Sequence, residues 1–137
     1  MKIYAVIDTN VLVSTLLTKN ENSPVVQVMR AVQSEKIIPL YSSEILKEYD
    51  EVLHRPKFHF TNASISKLVE TILRYGIAVE PSPTGEILPD MDDVIFYEVV
   101  MEKRDDNAYL ITGNMKHFPK RNYIVTPSQM MEILNQS

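Results

Sequence analysis

The sequence predicts an α/β domain built on a mostly parallel sheet of four to five strands. Short apolar runs alternate with longer helical patterns along the whole chain, which is the order that right-handed strand–helix–strand crossovers need. The first run, IYAVI, is apolar at consecutive rather than alternate positions, as a strand covered on both faces must be. The chain has 137 residues, 45% hydrophobic and 23% charged, enough to bury one core, so residues 1–137 are expected to form a single domain.

The elements follow in order. After IYAVI, NVLVSTLLTK reads as a helix despite its β-branched residues, and SPVVQVMRAVQ as a second, with Ser23 as its cap and Pro24 at its first position. KIIPLY is the second strand. SSEILKEYDEVLHR is a helix with Ile45, Tyr49, Val52 and Leu53 at helical spacing, stopped by Pro56. NASISKLVETILRYG is the next helix, closed by Gly76 as a C-terminal cap. IAVEP is the third strand, and the prolines and glycine from Ser82 to Pro89 make a loop. DDVIFYEVVMEKR is helical, AYLIT and YIV are strands, and TPSQMMEIL opens on a capping box from Thr126 to Gln129.

Composition narrows the function. There is no cysteine, which excludes a disulfide framework, a thiolate metal site and a cysteine nucleophile, and suits a reducing, cytoplasmic setting. No signal peptide and no run of membrane-spanning length is expected. Net charge is −4, with 18 acidic against 14 basic residues, so a broad basic surface for nucleic acid is excluded. Any contact with nucleic acid must be local, and a metal ion is one way to bridge acids to phosphates.

The acids are where the sequence is most informative. In an open parallel sheet, ligands bind beyond the carboxyl ends of the strands where strand order reverses. Asp8 ends the first strand and Thr112-Gly113-Asn114 ends the fourth, so both segments face one crevice if those strands are neighbours. Taken alone, Asp8 also fits a cap for the helix that follows. With roughly 100° between successive helical residues, Glu48 falls at the edge of the apolar arc of its helix. Asp90 and Asp93 align with Val94, Tyr97, Val100 and Met101 and so continue the stripe that faces inward. Acids in a first turn also complement the helix dipole, but Asp92 does that equally well while pointing elsewhere. An unpaired buried carboxylate is costly, and no lysine or arginine occurs at helical spacing on that face. A divalent cation, Mg²⁺ or Mn²⁺, is the economical partner. Without a glycine-rich phosphate loop, a GxSxG elbow or an HExxH pair, such acids argue for metal-assisted hydrolysis of a phosphodiester.

These residues resemble the PIN domain family over essentially the whole chain. VIDTNVLVS resembles the family's opening motif, with Asp8 as first acid beside Thr9 and Asn10. EILKEYDEVLHRPKF resembles the helix carrying the second acid, Glu48, and DMDDVIFYEVV the segment carrying the third, Asp93, accompanied by Asp90. AYLITGNMKHFP resembles the segment that often reads T-x-D, but Asn114 stands where many members carry a fourth acid. LHRPKF and TGNMKHFP are further similar to the branch of VapC-type toxins. The resemblance implies a three-layer α/β/α fold, a Mg²⁺- or Mn²⁺-dependent ribonuclease acting on RNA, a homodimer, and a cognate antitoxin protein. Asp8, Glu48 and Asp93 would be catalytic, and these three with Asp90 would hold the metal. Asn114, Thr112 and Asn10 would support them or act as weak ligands, the Thr112 hydroxyl by holding Asp8 or a water.

Two basic groups are candidates for RNA: His54, Arg55 and Lys57 after the third helix, and Lys116, His117, Lys120 and Arg121 after the fourth strand. Two other readings compete. A catalytically weak or silent PIN-like module that binds RNA or protein is favoured by the uncharged Asn114. A haloacid-dehalogenase-like phosphatase would need a second aspartate two residues after Asp8, where Asn10 stands.

Overall fold

A computed structural model of the chain describes residues 2–136. β1 (Ile3–Ile7), β2 (Ile37–Tyr41), β3 (Ile77–Ala78), β4 (Tyr109–Ile111) and β5 (Ile124–Val125) form one sheet in the order β3-β2-β1-β4-β5, and every neighbouring pair is parallel. The helices are α1 (Thr9–Leu17), α2 (Pro24–Gln33), α3 (Ser43–Leu53), α4 (Asn62–Tyr75), α5 (Val94–Glu102) and α6 (Pro127–Asn135). From β1 the chain steps outward through β2 to β3, then returns over the sheet by α5 to β4 on the other side of β1. Right-handed crossovers put α2 and α4 on one face, with α6 against α2, and α5 across β1, β2 and β4 on the other. The strands are covered on both sides, which is why β1 buries Ala5, Val6 and Ile7 in succession, with Ile3 buried at its start.

Strand order reverses between β1 and β4, whose register pairs Ile7 with Ile111. The next residues, Asp8 and Thr112, therefore stand side by side at the carboxyl edge of the sheet. Local signals fix the flanking helices. The Ser42 hydroxyl accepts the Ile45 N–H (3.2 Å) at the start of α3, and Thr61 accepts that of Ser64 (3.0 Å) at the start of α4. Thr126 and Gln129 form the reciprocal capping box of α6.

The structure departs from the sequence-based expectation at four places. Ser23 precedes α2 without capping it, because its hydroxyl bonds to nothing there and Pro24 already removes one orphan N–H. β3 is two residues long instead of the five of IAVEP, because pairing with β2 ends at Ala78. The helix after the proline-rich loop begins later than its apolar stripe suggests: Met91–Asp93 is a 3₁₀ turn and α5 starts at Val94. Asp90 and Asp93 are thus brought together by a tight turn rather than by one α-helical face. Gly76 is not a left-handed cap, since its φ is −96° and its ψ 176°. Its need for glycine is steric: a Cβ would lie 2.4 Å from the Ile72 carbonyl oxygen and 2.6 Å from that of Pro39.

Both of those atoms are backbone and cannot move aside. Gly76→Ala is expected to lower stability by about 1–3 kcal/mol, as overpacking of a tight contact does. Urea unfolding checks this, and an unchanged midpoint would show that α4 and β2 separate freely here.

Candidate active site

The site is built on the seam between β1 and β4. Asp8 is 4% exposed and Thr112 is fully buried. The Thr112 hydroxyl donates to Asp8 Oδ2 at 2.7 Å, and the Asn10 amide donates to the same oxygen at 3.0 Å. Asn10 is held in turn by the Gly113 N–H, which donates to its Oδ1 at 3.0 Å, and the Asn114 N–H donates to Thr112 Oγ1 at 3.0 Å. Two short segments far apart in sequence are thereby clamped around one carboxylate. From α3, the Tyr49 hydroxyl donates to the carbonyl of Ile7, tying that helix to the last residue of β1.

Asp93 enters from the turn before α5, with its side chain 15% exposed. Its Oδ2 is buried and receives no hydrogen bond. His117 Nδ1 lies 2.9 Å from that oxygen, close enough for an ion pair when the imidazole is protonated. The Asn114 side-chain amide nitrogen sits 2.9 Å from His117 Nε2 and 3.4 Å from Nδ1, over the ring. Asp90 is half-buried at the head of the same turn, and its Oδ1 accepts the Asp92 N–H at 3.0 Å. Ligand atoms of Asp90, Asp93 and His117 all lie within 4.8 Å of one another. Asp8 and Glu48 stand outside that triangle, though their charges bear on the same region.

The electrostatics are those of crowded acids. Burial raises the Asp8 carboxyl above its ordinary range, against the hydrogen bonds that favour its charged form. Burial and then the charge of Asp8 push the Asp93 pKa up to about 6. Glu48, half-buried on α3, is also raised, first by burial, then by Glu51, with smaller contributions from Asp92 and Asp8, while Arg55 opposes them. Among the described residues no lysine or arginine forms an ion pair with any of these four acids. The donor set suits a hard divalent cation: carboxylate oxygens, one of them buried and unsatisfied.

Residues 4–116 match the family model described as PIN domain. The chain belongs to the PIN domain family. An uncharacterized protein of Methanocaldococcus jannaschii, MJ1680, is 31% identical over 117 residues, covering 83% of this chain and 72% of that protein. Among solved structures, PAE2754 from Pyrobaculum aerophilum is similar with a TM-score of 0.59 at 13% identity, covering 99% of this chain and 91% of that one. A chain of VapBC2 from Rickettsia felis, solved bound to a DNA fragment from their promoter, aligns with a TM-score of 0.53 at 16% identity over 90% of this chain and 97% of that one. Those two likenesses are of fold.

In this PIN domain the remaining candidates are on the surface. Arg55 and Lys57 are exposed beyond the end of α3, and Lys116 is exposed in the turn after β4. Asn114 packs its side-chain amide on the ring of His117. Sequence reasoning set His117 among the basic residues for RNA, but it stands against Asp93. The signal was its spacing, three residues after Asn114 in what proves to be a 3₁₀ turn. Tyr49 was read only as a core residue, because a buried hydroxyl leaves no mark in an apolar pattern.

Asp93 gives a pH signature. In the folded, metal-free chain it binds its proton with a pKa of about 6, whereas in the unfolded chain the value is the ordinary one near 3.8. Between those values the folded state holds more protons, so stability falls as pH rises through the window and the loss is complete above it. Asp93→Asn removes the effect. In chelator, the variant is expected to be more stable than the parent by about 1–3 kcal/mol above about pH 6.5, with the gap closing near about pH 4. Urea titrations across that range check this, and a variant less stable at neutral pH would make Asp93 a structural residue.

Proposed function

We propose that this PIN domain is a Mg²⁺- or Mn²⁺-dependent endoribonuclease, the toxin component of a toxin–antitoxin pair. The observation that carries the nuclease reading is the set of acids without a lysine or arginine ion-pair partner at the strand-order switch point, with a buried Asp93 oxygen. Asp8, Asp93 and Asp90 are the residues that would hold a cation, with Glu48 facing them. When bound, such an ion supplies Lewis acidity toward the scissile phosphate and a nucleophilic water at neutral pH. Thr112 and Asn10 keep the Asp8 carboxylate oriented and mostly out of water, so little reorganisation is needed as charge develops. Glu48, with its raised proton affinity, is suited to take the proton from the attacking water at a carboxylate oxygen. Arg55, Lys57 and Lys116 would hold the RNA backbone without reading its bases.

The toxin assignment rests on the motifs of the sequence and on the fold shared with a chain of a VapBC complex. An antitoxin protein and a second copy of this chain are the partners that go with it. No helix among the described residues is long and apolar enough to cross a membrane.

Asp8→Asn tests the reading. Asparagine keeps an oxygen for Thr112 and Asn10 but removes the charge. Purified protein is expected to cleave single-stranded RNA only with Mg²⁺ or Mn²⁺, and Asp8→Asn to lose at least about 100-fold in rate, the scale on which removing a charge-stabilising group acts. Equal cleavage by parent and variant would be a contaminant's. Metal-independent RNA binding without cleavage by either would favour a silent binding module instead.

A further inference from the structure

His117 is not one of the acids through which the family was recognised, yet its ring stands directly against Asp93. Its Nδ1 is 2.9 Å from Asp93 Oδ2, while that oxygen has no hydrogen bond. The two atoms are within ion-pair distance. Two ligand atoms sharing one metal have this relation: an octahedral ion with bonds of ~2.1 Å spaces adjacent ligands ~3 Å apart. Asp90 completes a group whose ligand atoms lie within 4.8 Å of one another. The Asn114 amide nitrogen lies 2.9 Å from Nε2 and 3.4 Å from Nδ1, so it packs on the face of the ring and leaves the in-plane direction of Nδ1 open.

We propose that His117 is a direct nitrogen ligand of the divalent cation, beside Asp93 and Asp90, and that this makes the site prefer Mn²⁺ to Mg²⁺. Imidazole suits the transition metals, whereas Mg²⁺ favours oxygen ligands and retained waters. The inference rests on the metal-dependent reading above and deepens it.

The test is pulsed electron paramagnetic resonance of the full chain loaded with Mn²⁺, together with calorimetric titration of Mn²⁺ and Mg²⁺ into parent and His117→Gln. Expected results are ¹⁴N modulation from a coordinated imidazole in the parent, its absence in His117→Gln, and Mn²⁺ binding weakened about tenfold or more in the variant while Mg²⁺ binding changes by less than about twofold. Mn²⁺ bound by the parent without ¹⁴N modulation overturns the role of His117 and leaves the metal-dependent reading standing. Equal weakening for both metals in His117→Gln overturns the selectivity. No uptake of either metal by the parent overturns the metal-dependent reading itself, and this inference with it. The spectrum of the parent decides the ligand even if the variant fails to fold.

Discussion

Asp8 Oδ2 receives hydrogen bonds from Thr112 and Asn10 at a position only 4% exposed, and burying that carboxylate costs free energy that those bonds offset in part. The arrangement demands that β1 and β4 be neighbours, that they run parallel, and that Ile7 pair with Ile111 so that Asp8 and Thr112 emerge together. A shift of one residue in that register would turn Thr112 away and leave the carboxylate without its strongest donor. Gly113 and Asn10 add a second clasp across the same seam. The central strand pair and the acid at its end are therefore one structural unit.

The helices support this unit from both faces. Tyr49 reaches from α3 to the Ile7 carbonyl, and its ring packs near Phe96 of α5 at 6.2 Å between centroids. One aromatic side chain thus links the helix that carries Glu48, the strand that ends in Asp8, and the helix that follows Asp93. The acids come from three elements whose relative placement is set by packed apolar side chains, not by interactions among the acids themselves. This division is physically necessary, because like charges repel and cannot assemble their own site.

The same repulsion explains the electrostatic character of the site. Asp93 feels both burial and Asp8, and His117 is the one cationic candidate among the described residues placed directly against it. Arginine and lysine are kept at the rim, where Arg55 eases the charge of Glu48 without neutralising it. A net acidic protein can meet a polyanion under these conditions, because attraction need only be local.

The sequence by itself determined the element types, the parallel sheet and the candidate acids. The apolar run IYAVI, the capping box at Thr126 and the stop at Pro56 are local effects of backbone and side-chain chemistry, which is why they were legible. Asp8 and Thr112 were readable as strand-end residues, and the rule for open parallel sheets placed them in one crevice once neighbours. What only tertiary structure decided is how the site closes. The tight turn at Met91–Asp93 overrides the α-helical periodicity that the stripe from Val94 onward suggests. Gly76 is required by the approach of the Pro39 carbonyl from a strand more than thirty residues away in sequence. His117 meets Asp93, and Tyr49 finds Ile7, only because β1, α3, α5 and the turn after β4 converge. Contacts between residues distant in sequence carry no periodicity, so nothing in the linear pattern marks them until the sheet has set their positions.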